Sequence, residues 1–96
     1  MRKTVNQWEI QFHKVARKLD VDTSDIMLKA LIAANGRTFE TMFLRMEQMV
    51  ANKYRDIKLI TYENNKMLVE ENLFYELCST LFEVPAYTIK NALKED

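Results

Sequence analysis

Between Thr38 and Lys53 the chain reads TFETMFLRMEQMVANK, and Phe39, Met42, Phe43, Met46, Met49 and Val50 recur three or four residues apart. That spacing collects them on one face of a helix, while Glu40, Arg45, Glu47 and Lys53 mostly look elsewhere. A stripe this wide, near the middle of a short chain, has to be covered from both flanks. It is read as core, with a methionine-rich partner groove as the alternative. Thr38 stands where an N-cap belongs, and the Asn35-Gly36 pair before it is a turn signal.

The covering material must come from a chain of 96 residues, 48% of them apolar, which suits one domain spanning residues 1–96. A domain of this size buries about two-thirds of the surface its unfolded chain exposes. With one Gly and one Pro, there is little material for long loops, so most of the chain should be regular structure. The single cysteine, Cys78, excludes an internal disulfide. Met1-Arg2-Lys3 is basic, but Thr4 to Lys14 is mixed and amphipathic, unlike a signal peptide. The longest apolar run, Ala30 to Ala34, is too short to span a bilayer, so no membrane association is expected. A reducing, cytoplasmic location fits these features.

Before the central stripe, Thr4 and Gln7 have the spacing of a capping box. Trp8, Phe12, Val15, Ala16 and Leu19 follow at helical spacing, with Lys14, Arg17 and Lys18 making the outer face basic. Trp8 reads as core, with a stacking platform as the alternative. Leu19 to Ser24 breaks the period and offers several possible caps, and a second, nearly all-apolar helix is expected from about Ser24 to Ala34. Asn35 or Gly36 can end it in a left-handed conformation.

After Tyr54 the period changes from helical to alternating. Ile57 to Tyr62 and Met67 to Glu71 flank Asn64-Asn65, and asparagine is the non-glycine residue best suited to a hairpin turn. A two-residue turn there would pair Glu63 with Lys66, Tyr62 with Met67, Ile60 with Val69 and Lys58 with Glu71. Two of these pairs are opposite charges and two are apolar. Asn72 then caps a helix to about Phe82, and Pro85 opens a last helix to about Lys94 with Ile89, Ala92 and Leu93 inward. The expected fold is α+β, mainly α, with about five helices and one β-hairpin (57–62/67–71).

Fourteen Lys/Arg balance fourteen Asp/Glu. Residues 1–53 hold nine basic and six acidic side chains and residues 54–96 five and eight, so any electrostatic case for nucleic acid must be made for one face. In Glu76 to Lys94, ELCSTLFEVPAYTIKNALK, Ser79, Val84 and Ile89 are spaced five and five apart. This stretch, about a fifth of the chain, resembles a helix-turn-helix DNA-binding motif. There a small residue in the first helix, an aliphatic closing the turn and an aliphatic beneath the second helix let the two helices cross steeply. The sequence departs from the pattern at Glu83, where such turns carry Gly, and at Pro85, where they carry a Ser or Thr cap. Glutamate is disfavoured in the left-handed backbone such a turn often needs.

The resemblance implies a small DNA-binding protein of transcription regulation, with double-stranded DNA as partner and a homodimer because one short motif reads few base pairs. Tyr87, Lys90, Asn91 and Lys94 would carry the contact, and Lys14, Arg17 and Lys18 would hold phosphates. Ala16, Val21 and Ile26 repeat the spacing, but Asp22 and Asp25 at the start of the following helix would repel phosphates. Winged-helix domains also join a hairpin to such helices. There the wing follows the recognition helix, which would make 38–53 the reader, and that helix is too apolar. The hairpin is read as a structural cover or a dimer edge. The alternatives to DNA binding are a plain helix–turn–helix packing unit or a protein-interaction module, an adaptor or inhibitor with a Met/Phe-rich or acidic surface.

Catalysis is not expected. Cys78 lies on an apolar helical face and reads as packing rather than as a nucleophile for His13. One His and one Cys do not make a zinc site without several carboxylates, and Gly36 alone makes no phosphate loop. Glu70 and Glu71, adjacent on a strand, would point to opposite faces and read as a solvated edge. No metal or cofactor is implied.

Overall fold

The computed structural model describes residues 1–26, 29 and 39–94. In chain order they form β1 (Arg2–Thr4), α1 (Val5–Lys18), a helical stretch at 23–26, and α2 (Phe39–Val50), which runs into a 3-10 turn at Ala51–Lys53. The hairpin strands β2 (Ile60–Glu63) and β3 (Lys66–Glu70), then α3 (Glu71–Phe82) and α4 (Ala86–Lys94), complete the order. The fold is α+β and mainly helical, as the periodicities predict. The expected helix over 24–34 falls mostly outside the described residues, and Asn35-Gly36 and the Thr38 cap fall wholly outside them.

Local sequence starts α1. The Thr4 hydroxyl accepts the Gln7 backbone N–H at 3.2 Å and the Gln7 side chain accepts the Thr4 N–H at 2.9 Å, a complete capping box. Trp8, Phe12, Val15 and Ala16 are buried. The Trp8 indole donates to the Val69 carbonyl at 2.7 Å and stacks on Phe74 with centroids 4.3 Å apart, so Trp8 is a core residue. Phe12 sits 4.9 Å from Phe39 and 5.0 Å from Phe82, joining α1, α2 and α3 in one aromatic cluster.

The hairpin turns on Asn64 (φ 53) and Asn65 (φ 63), both left-handed as a two-residue turn requires. Glu63 faces Lys66, Tyr62 faces Met67 and Ile60 faces Val69, in the expected register. The fourth expected pair does not form: β2 begins only at Ile60, and Glu71 already belongs to α3. The Glu70 N–H instead bonds the Leu59 carbonyl at 2.9 Å. β1 adds a third strand that the sequence did not announce, antiparallel to β3, with Lys3 opposite Val69 and strand order β1-β3-β2. Met67 and Val69 are buried, so the hairpin covers core on one side and leaves β2 at the sheet edge.

Two side chains depart from expectation. Met49 is 71% exposed, whereas Met42 and Met46 are 5% exposed and the next residue, Val50, is buried, so Met49 lies at the margin of the stripe while the rest of it is core. Glu70, not Asn72, caps α3: its carboxylate accepts the Asn72 backbone N–H at 2.8 Å and the Asn72 side-chain amide at 3.3 Å. At 8% exposure Glu70 lies at a buried strand-to-helix corner, not on a solvated edge.

Candidate nucleic-acid interface

The end of α3 is built around Ser79. Its backbone carbonyl accepts the N–H groups of Glu83 and Val84, the latter at 3.2 Å, and its hydroxyl donates to the Val84 carbonyl at 2.5 Å. Glu83 takes φ 57 and ψ 44, so the departure from glycine is absorbed in left-handed backbone rather than avoided. Pro85 has no N–H to leave unsatisfied, and its carbonyl takes the Thr88 N–H at 3.0 Å to open α4. Ile89 is fully buried and Ala92 nearly so, while Val84 and Leu93 pack at the margin of the core. The five-and-five spacing thus becomes a helix end, a plug and a wedge.

The earlier echo of this spacing folds the same way at its helix end. Asp20 has φ 55, and the Val21 N–H bonds the Ala16 carbonyl at 2.9 Å. The Asp22 side chain then accepts the Ser24 N–H at 2.9 Å to open the stretch at 23–26. Acidic residues cap and enter that helix, and none occurs within α4.

Tyr87 is 67% exposed, and Lys90, Asn91 and Lys94 are exposed with it, one turn after another on the outer side of α4. Of the three basic residues of α1, the structure brings Lys18 to this face: a shallow groove of about 190 Å³ is lined by Lys18, Leu19, Thr88 and Asn91. Arg17 is exposed in the same last turn of α1, and Lys14, a turn earlier, is half-buried. On the other flank, a groove of about 290 Å³ between α3 and α4 holds Glu71, Tyr75, Lys90 and Lys94. There the Lys90 ammonium lies 5.1 Å from the centre of the Tyr75 ring, and the Tyr75 hydroxyl donates to Glu71 at 3.2 Å. Burial, and then the neighbouring Glu71 carboxylate, push the Tyr75 phenol upward, so it stays a neutral donor.

The Lys90–Tyr75 contact joins two helices and has no signature in sequence spacing. The Glu71–Tyr75 pair is an i,i+4 contact that spacing can find.

Burial pushes the Cys78 thiol up and keeps it protonated, and His13 packs edge-on against Phe12, centroids 5.5 Å apart. Glu76 accepts from Tyr54 at 2.7 Å and from Lys53 at 3.0 Å, tying the turn after α2 to α3. Burial alone would raise the Glu76 carboxyl, but these two hydrogen bonds and the Lys53 charge outweigh it and hold it low. The Tyr54 phenol is pushed up to about 12 by burial, helped by Glu76. Among the described residues no three His, Cys, Asp or Glu side chains are grouped to hold a metal ion, and no helix is long and apolar enough to cross a membrane.

No family model matches the chain, and neither a curated protein nor a solved structure matches it.

Proposed function

We propose that this is a small regulatory protein of helix-turn-helix type that binds double-stranded DNA in the cytoplasm, with α4 as the helix entering the major groove. One observation carries the reading: the outer face of α4 offers Tyr87, Lys90, Asn91 and Lys94 to solvent, with no acidic residue within the helix. Asparagine and lysine can bond base edges, while tyrosine and lysine can hold phosphates. Lys18 beside Asn91, and Arg17 in the same turn, would add phosphate contacts from α1. A homodimer would present two such helices and lengthen the site that is read.

The test is a salt titration of binding to a labelled mixed-sequence duplex, followed by fluorescence anisotropy from about 50 to 200 mM salt. Each phosphate neutralised contributes about −0.9 to the log–log slope. A slope steeper than about −3 is the expected result, and Lys90→Glu with Asn91→Ala should abolish most of the affinity. Absence of wild-type binding at the low-salt end would overturn the reading.

A second reading, a protein-interaction module acting as an adaptor or inhibitor, is favoured by the exposure of Met49 and Ile57 and by the zero net charge. The wider Met/Phe stripe is core and offers no groove to a partner. In this reading, capture of a protein partner would be lost on Met49→Glu and retained on Lys90→Glu.

A further inference from the structure

The exposed face of α4 has one side chain whose charged head is held by another helix. Lys90 projects over the Tyr75 ring at 5.1 Å from its centre, inside the range in which a cation is attracted to an aromatic face. Tyr75 is in turn fixed from α3, half-buried and bonded through its hydroxyl to Glu71. We propose that Tyr75 is a positioning residue for DNA binding: its ring holds the Lys90 ammonium at the α3 edge of the α4 face, ordered in advance to meet a backbone phosphate. The proposal rests on the DNA reading above.

The choice of an aromatic ring matters physically. A lysine held by a carboxylate is ordered but neutralised, and it must give up that partner to bind a phosphate. A ring orders the ammonium and leaves its positive charge uncompensated. Among the described residues Lys90 makes no ion pair, although Glu71 lines the same groove; the Tyr75 hydroxyl at 3.2 Å and the Met1 ammonium at 3.4 Å engage that carboxylate instead. Lys94, one turn on, lines the groove as well, and two free ammonium groups at this spacing repel. A free lysine loses much rotamer freedom on binding, and ordering it beforehand moves that cost into folding.

The experiment is a double-variant cycle on the labelled mixed-sequence duplex, at several salt concentrations. Tyr75→Leu should weaken binding about two- to fivefold and keep the wild-type salt slope, because the charge is retained. Tyr75→Phe keeps the ring, and Glu71 keeps the Met1 ammonium as a partner, so binding should stay close to that of the wild type. Lys90→Met should make the slope shallower by about 0.9, and in that background Tyr75→Leu should have no further effect. In the free protein, the Lys90 ε-methylene protons should show an upfield ring-current shift that Tyr75→Leu removes and Tyr75→Phe keeps. A loss from Tyr75→Leu that is equal with and without Lys90 would overturn the proposal alone. Absence of wild-type DNA binding would overturn the DNA reading and this proposal with it.

Discussion

Glu83→Gly is expected to stabilise the protein, although it deletes a whole side chain. Glu83 sits at φ 57 and ψ 44, where its Cβ crowds the backbone at a cost of about 1–2 kcal/mol relative to glycine. Its charge lies at the C-terminus of α3, where the helix dipole disfavours an anion by about 0.3 kcal/mol on a solvated surface. Against this, glycine adds freedom to the unfolded chain worth about 0.4–1 kcal/mol. The balance is a gain of about 1 kcal/mol, or a rise of about 4–8 °C in Tm for a domain of this size. Glu83→Ala separates the terms, because it removes the charge and keeps the Cβ, and it should move Tm by less than about 2 °C. The assay is thermal and urea unfolding followed by circular dichroism. Asp20→Gly is the internal comparison: Asp20 has φ 55, but aspartate tolerates this region better, so the gain should be smaller. If Glu83→Gly melts no higher than Glu83→Ala, the left-handed backbone is not a source of strain and the reasoning fails.

Three further outcomes follow from the packing. Trp8→Phe removes the indole N–H that the Val69 carbonyl accepts at 2.7 Å and should cost about 0.5–1.5 kcal/mol in urea unfolding; no measurable cost would mean the bond contributes little. Because the folded Glu76 carboxyl is held below its usual 4.5, its contribution to stability is present above that pH and is lost as pH falls through the folded value. Glu76→Gln should therefore flatten the acid limb of the stability–pH curve, and an unchanged limb would count against the Tyr54–Glu76–Lys53 cluster as its source. Mild peroxide followed by peptide mapping should oxidise Met49 well before Met42 and Met46; equal rates would contradict the burial described for α2.

Much of this fold is legible in the sequence because it is local. The Thr4–Gln7 capping box, the Asn64-Asn65 turn and its register, and the inward faces of α1, α3 and α4 depend on residues a few positions apart. Backbone sterics and helical or strand periodicity act at that range. The five-and-five spacing around Ser79, Val84 and Ile89 likewise marks a helix end and a wedge, and the outward residues of α4 follow from the inward ones.

What the chain could not show locally was decided by neighbours far away in sequence. Arg2–Thr4 has too few residues to declare itself a strand and becomes one because the open edge of β3 supplies its hydrogen bonds. Glu70 reads as a surface charge until α3 turns its backbone N–H onto the carboxylate. Met42 and Met49 stand seven residues apart on nearly the same side of α2, yet one is buried and the other exposed. Lys90 faces outward by periodicity alone, and only the packing of α3 against α4 places the Tyr75 ring beneath it. Periodicity determines which way a side chain points; what it meets there, and which margin of a face is left uncovered, is set by the contacts that tertiary structure alone creates.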